Sequence, residues 1–229
     1  SISYNLDGGN ISGEKASYTA DDYGYIPPTP TKTGYKFTGW SPAKIQTDST
    51  GNVTFAASWE EETATTLDGE TLNARMKVLA GKKNADCYEV DTKITAIQHS
   101  IQEPSDEIKT NPTSLVSTED SEVPVYMWFE DGTIKWWSAA NSVVANSNLN
   151  YLCHYMTNLI DISGLSDLDT KDVTSMRSTF SACNNLTDLT ALKRWDTRNL
   201  IDVSCIFSRC TSLSDLTPLA SWNTNNITN

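Results

Sequence analysis

Residues 163–183 read SGLSDLDTKDVTSMRSTFSAC, and residues 190–210 read TALKRWDTRNLIDVSCIFSRC. Shifted by 27 residues, the surrounding copies are identical at Asp169/Asp196, Thr170/Thr197, Phe180/Phe207, Ser181/Ser208, Cys183/Cys210, Leu186/Leu213, Asp188/Asp215, Leu189/Leu216, Thr190/Thr217 and Leu192/Leu219. That much identity in one register marks an internal repeat. One step back, only the apolar pattern persists. Leu149, Cys153, Met156, Leu159, Ile162 and Leu165 stand where Met176, Phe180, Cys183, Leu186, Leu189 and Leu192 stand in the next copy. One step forward, WNTNNITN (222–229) opens another copy.

Within a copy, Val173, Met176, Phe180 and Cys183 are spaced three, four and three, which is one face of a short helix. Leu186, Leu189 and Leu192 recur every third residue and are read as an extended segment. Each copy is then expected to hold a helical turn, a short strand and a loop. One copy cannot bury its apolar stripe alone, but stacked copies can. Phe180 is therefore expected against Phe207, and Cys183 against Cys210. The last copy stops at Asn229 with no cap in view, so the array (about 141–229) is expected to be truncated and to continue in the natural protein.

The five cysteines are Cys87, Cys153, Cys183, Cys205 and Cys210. An odd number argues against a complete disulfide framework, and no CxxC pair or Cys/His cluster offers a metal site. Reduced, buried thiols are the reading adopted, because Met156 fills the Cys183 column without sulfhydryl chemistry. The columns Asp161/Asp188/Asp215 and Asp169/Asp196/Asn223 admit a calcium ladder or turn-forming side chains. The turn reading is preferred because no dense acidic loop with a glycine turn is present.

Upstream, VPVYMWFEDGTIKWWS (123–138) alternates as a hairpin about Glu130-Asp131-Gly132. So aromatic a ribbon must cover something, and we read it as a cap on the repeats. TLNARMKVLAG (71–81) places Leu72, Met76 and Leu79 at helical spacing, with Thr71 as N-cap and Gly81 as the stop. Residues 62–70 read as a linker and 102–122 as a long polar surface loop.

Residues 1–61 are rich in Gly, Pro, Thr and Tyr. Ile2, Tyr4 and Leu6 alternate in one strand, and Val53, Phe55, Ala57 and Trp59 in another. The prolines of PPTPTKTGYKFTGW lead into a third, and one short helix fits around Thr19–Tyr23. A small, mainly antiparallel sheet follows, with Tyr35, Phe37, Trp40 and Trp59 as its expected core. YNLDGGNISG, PTPTKTGYKFTGW and GNVTFAASW resemble the Listeria–Bacteroides repeat, also called the internalin B-type B-repeat. The resemblance implies a compact β-grasp-like spacer module of bacterial surface proteins, with no catalytic residues. The hairpin followed by LDTKDVTSMRSTFSACNNLTDL and WDTRNLIDVSCIFSRCTSLSDL resembles the BspA family of bacterial surface proteins. That resemblance implies a leucine-rich-repeat architecture, an extracellular, host-associated setting, and adhesion or binding without a defined active site.

The fold class expected is thus α+β. A small β-grasp-like domain (1–61) precedes a leucine-rich-repeat-like domain (71–229), a short solenoid of 27-residue helix/strand repeats closed by the aromatic hairpin cap (123–138).

Hydrophobic residues make up 38% of the chain, too many for a disordered one. The net charge of −12 repels phosphate backbones, which disfavours nucleic acid as a partner. No run is apolar enough for a membrane span. Only two histidines occur, His99 and His154, and neither has a sequence partner that would make a hydrolytic site. No catalytic residue, cofactor or metal is expected, and the chain is not expected to be an enzyme. The function expected is that of an extracellular bacterial surface protein. Its repeat domain would bind a protein or host surface component through the exposed positions Thr187, Asp188, Thr190, Ser214, Asp215 and Thr217. The alternative is glycan binding through exposed aromatics of the hairpin.

Overall fold

The computed structural model describes residues 1–229. Contacts divide them into two units, Ser1–Glu62 and Thr63–Asn229.

In the first unit, β1 (Ile2–Asn5), β2 (Tyr35–Ser41) and β3 (Val53–Glu61) form one sheet in the order β1-β3-β2. The sheet is mixed and not mainly antiparallel, because β1 lies parallel to β3. Register between β2 and β3 slips between Phe37 and Gly39. This bulge changes the side-chain period from two to three, so Phe37 and Trp40 both reach the core. The core is Ile2, Trp40, Ile45 and Phe55, with Phe37 packed against it. Tyr35 and Trp59, expected in the core, lie at its margin under the Lys32 ammonium, which stands 4.1 Å from the Tyr35 ring centroid. The short helix is a single 3-10 turn, Ala20–Asp22, closed by a capping box between Thr19 and Asp22.

In the second unit, β4 (Thr63–Thr65), β8 (Ser142–Val144) and β9 (Leu168–Asp169) form a parallel sheet. A second sheet runs in the order β5-β7-β6, from β5 (Ala96–His99), β6 (Val125–Glu130) and β7 (Thr133–Ser138). The hairpin β6–β7 turns on Asp131 and Gly132, both with positive φ, the backbone of a type I′ turn. Val125, Met127, Ile134 and Trp136 are its buried positions.

Three expectations change here. Residues 62–70 are not a linker: Thr63–Thr65 pair with Ser142–Val144, and helix α1 (Gly69–Leu79) has already begun. The N-cap is Asp68 and not Thr71, because the Asp68 carboxylate accepts the Thr71 amide at 3.0 Å. Residues 102–122 are not wholly a surface loop. They contain the short helix α2 (Asp106–Thr110) and a buried stretch in which Val116 donates its amide to the Val125 carbonyl and accepts the Leu67 amide. Gly69 lies so close to the repeats that a Cβ there would come within 2.5 Å of the Leu149 and Asn150 carbonyl groups. Glycine is what lets α1 dock.

The largest correction concerns the repeats. The unit is built of small sheets and two α-helices, and a leucine-rich solenoid of helix/strand repeats is not formed. No α-helix covers Val173–Cys183, and no strand covers Leu186–Leu192. Leu149, Tyr151, Cys153 and Tyr155 send their amides to Ser175, Arg177, Thr179 and Ser181 carbonyls at 2.7–3.0 Å. Leu152, His154 and Met156, between them, bond back three residues. Met176, Ser178, Phe180 and Ala182 repeat the pattern toward Asp202, Ser204, Ile206 and Ser208. Alternation of this kind needs alternating backbone hand. Positive φ accordingly recurs at Tyr151/Ser178/Cys205 and at Tyr155/Ala182/Arg209. An α-helix would consume the amides that tie one copy to the next. The leucine period of three belongs to i→i−3 turns and the 3-10 helices Ser163–Asp167, Thr190–Arg194 and Thr217–Ser221, and not to strands. Leu186, Leu189 and Leu192 are fully buried by it.

Candidate functional site

Each 3-10 helix of the repeats has an aspartate two residues before its first residue. Asp161, Asp188 and Asp215 accept the amides of Ser163, Thr190 and Thr217, each at 2.8 Å. Asp188 also accepts the Thr190 hydroxyl at 2.6 Å. These bonds satisfy amides at the start of each helix, so the column consists of turn-forming side chains. Hydrogen bonds from Thr190 and Thr217 hold the Asp188 and Asp215 carboxyls below the usual carboxylate range. At Asp161, burial opposes ionisation, but bonds from Gln98 and Ser163 outweigh it. The second aspartate series behaves alike, with Asp169 and Asp196 accepting the amides of Lys171 and Arg198.

Beside this column runs an open groove of about 810 Å³. Ile160, Ile162 and Ala191 supply its apolar surface, and Ser163, Ser166, Thr190 and Ser221 its hydroxyls. Asp161 and Asp188 bring carboxylates, and Lys193 and Arg194 bring cations. Lys193 and Arg194 belong to none of the chain's ion pairs. One helix, Thr190–Arg194, thus carries an acid before its N-terminus and two bases in its last turn, matching its own dipole.

All six positions expected on the exposed face, Thr187, Asp188, Thr190, Ser214, Asp215 and Thr217, are exposed. They lie on turns and 3-10 ends, not on strands. Only Asp188 and Thr190 of the six line the groove. Sequence reasoning missed Lys193, Arg194, Ser163 and Ile160. The adjacent bases immediately before the repeated Trp195 were the available signal.

The cysteine columns are internal. Cys183 and Cys210 donate their thiols to the Cys153 and Phe180 carbonyls at 3.1 and 3.0 Å. All five cysteines are free. Burial pushes the Cys183 thiol well above its ordinary value and Cys210 up to about 11, so neither is a reactive thiolate at neutral pH.

The histidines are held in place. His99 stacks on Trp136 at 3.9 Å and pairs with Asp167 at 2.8 Å. Trp136 itself is buried and donates its indole N–H to Gly164. His154 is buried and donates Nδ1–H to the Ser181 carbonyl at 3.2 Å. Burial lowers its pKa, and the Lys77 and Arg209 charges act in the same direction. A base depressed in the folded state takes up its proton more readily when unfolded. Stability is therefore retained above the ordinary histidine value of about 6.5 and falls as pH drops below it. Urea unfolding at pH 7.5 and at pH 5 is expected to show this loss, and His154→Gln should shrink the difference. An equal pH difference in both proteins would remove His154 as its cause.

Residues 1–69 match the Listeria-Bacteroides repeat domain, and residues 147–229 match a family described as Mycoplasma protein of unknown function, DUF285. No BspA leucine-rich repeat is found, which corrects the resemblance drawn for the second unit. Neither a curated protein nor a solved structure matches the chain. The two matched domain types are compatible with a non-enzymatic surface protein of bacteria. No helix is long and apolar enough to cross a membrane.

Proposed function

We propose that the chain is a non-enzymatic, extracellular bacterial surface protein. Its second unit binds an extended segment of a host or neighbouring protein, and its first unit acts as a spacer. The observation that carries this reading is the groove beside Thr190–Arg194. It is open, with unpaired cations at one end of the helix and carboxylates at the other. An extended peptide offers the complementary mix of backbone polar groups, alternating side chains and both charges. Enzymatic chemistry has little support, since both histidines are engaged in structural contacts. The acidic surface, with net charge −12, argues against nucleic acid.

The test is surface plasmon resonance of the immobilised chain against purified extracellular-matrix proteins and mucins. The double variant Lys193→Ala/Arg194→Ala should weaken binding at least tenfold. Asp188→Asn keeps the turn and removes the charge, so it should weaken binding without altering the melting temperature. Binding that is unchanged in both variants would refute the groove.

A further inference from the structure

The copy that begins the repeats differs from its successors at the two left-handed positions. Where the following copies have Ser178 and Ala182, then Cys205 and Arg209, it has Tyr151 (φ 64°) and Tyr155 (φ 59°). The hydrogen-bond ladder requires this backbone at every copy, but it requires no ring. Bulky side chains are disfavoured there. Local strain of this kind gathers at functional sites.

Both rings gather around His154. The Tyr151 and Tyr155 centroids lie 5.3 and 4.3 Å from the imidazole. Tyr88, 59% exposed, stands 5.8 Å from it at 89° and 5.6 Å from Tyr151. Arg209, two copies on, reaches back to the Tyr155 hydroxyl at 3.3 Å. His154 as a residue is 7% exposed and spends only Nδ1 within the chain, leaving Nε2 without a hydrogen bond to it. This is a corner of tilted aromatic rings with a polar nitrogen that has no partner in the chain at its base.

We propose that this corner is a binding site for a neutral pyranose sugar. A pyranose has an apolar C–H face to lie on Tyr88 or Tyr151. Its hydroxyl edge both donates and accepts, which suits His154 Nε2, the tyrosine hydroxyls and the Arg209 guanidinium. The rings stand at 55–89° to one another and do not make the single flat face that a protein interface would use. Glu70, Asp86 and Glu89 lie near Tyr88 in space or sequence, and their charge offsets the pull of Arg209 on a carboxylate-bearing sugar. The site is independent of the protein-binding groove and shares no residue with it.

The experiment is an NMR titration of the ¹⁵N-labelled chain. The probes are methyl α-mannoside, methyl β-galactoside, chitotriose, maltotriose and, for contrast, methyl β-glucuronide. At least one neutral probe should perturb amides at Tyr88, Tyr151, His154, Tyr155 and Arg209. Tyr88→Ala should weaken that binding at least tenfold. Tyr151→Ser installs the side chain of the next copy, so it should abolish binding while leaving the melting temperature unchanged or higher. The Lys193→Ala/Arg194→Ala variant should bind sugar normally. The proposal is overturned if no neutral probe perturbs the corner, if Tyr88→Ala binds as well as the parent chain, or if the glucuronide binds more tightly than every neutral probe. It is likewise overturned if Tyr151→Ser lowers the melting temperature and leaves sugar binding intact, since the ring would then be structural.

Discussion

Phe180→Ala is expected to lower the stability of the unit formed by residues 63–229 by about 3–5 kcal/mol, the usual result of emptying a fully buried aromatic site. Phe180 has no exposed surface. It lies nearly parallel to Phe207, with centroids 5.7 Å apart and planes 14° apart, and against Trp195 at 6.4 Å. The cavity would be walled by the neighbouring copies, whose backbones are tied at 2.7–3.0 Å and cannot collapse into it. Phe207→Ala should lose less, about 1–2 kcal/mol, because Phe207 is only partly buried and carries less apolar surface out of water. Urea unfolding followed in the transition of that unit reads both. A Phe180→Ala loss below about 1 kcal/mol, or a larger loss at Phe207, would be inconsistent with this packing.

Asn73→Ala is expected to cost about 2–3 kcal/mol, and Asn73→Asp more. Asn73 is fully buried on α1, and its amide nitrogen stands 2.9, 3.2 and 3.1 Å from the Tyr151, Leu152 and His154 carbonyls. The Tyr151 carbonyl also accepts the His154 amide, but the Leu152 and His154 carbonyls receive no other hydrogen bond. Alanine leaves the Leu152 and His154 carbonyls unbonded in the interior. Aspartate presents further acceptors to acceptors, adding repulsion to the loss. One turn later, the buried Lys77 ammonium treats the Asp86 and Cys87 carbonyls in the same way, at 3.2 and 3.0 Å, and burial pushes its pKa down to about 8. Helix α1 is therefore joined to the repeats by polar bonds as well as by Leu72 and Met76. Equal unfolding midpoints for the parent chain and Asn73→Asp would contradict this account.

The aromatic corner was not legible in advance for a related reason. Tyr151 and Tyr155 lie four apart in a segment read as helical, and Tyr88 and Arg209 lie far from them in sequence. Only the ladder and the bond from the Asp91 amide to the Tyr155 carbonyl bring the four together. The groove was half legible. Asp188 and Thr190 stood out as repeated polar positions, but Lys193 and Arg194 have no counterpart in the next copy, which carries Ala220 and Ser221.

The sequence by itself determined the period, the columns and the hairpin. These are one-dimensional properties: which residues are apolar, how far apart they recur, and where Asp131-Gly132 permits a turn. Leu186, Leu189 and Leu192 were bound to be buried whatever path the backbone took between them. The path was decided by tertiary structure. Spacings of three and four suit a helix, and they suit equally a chain of i→i−3 turns of alternating hand. In an isolated copy those turns would leave every second amide unbonded. In the folded unit each such amide finds a carbonyl 26 residues further along the chain, as Leu149 finds Ser175 and Phe180 finds Ile206. Bonds between copies, absent from any one copy, favour turns over the helix.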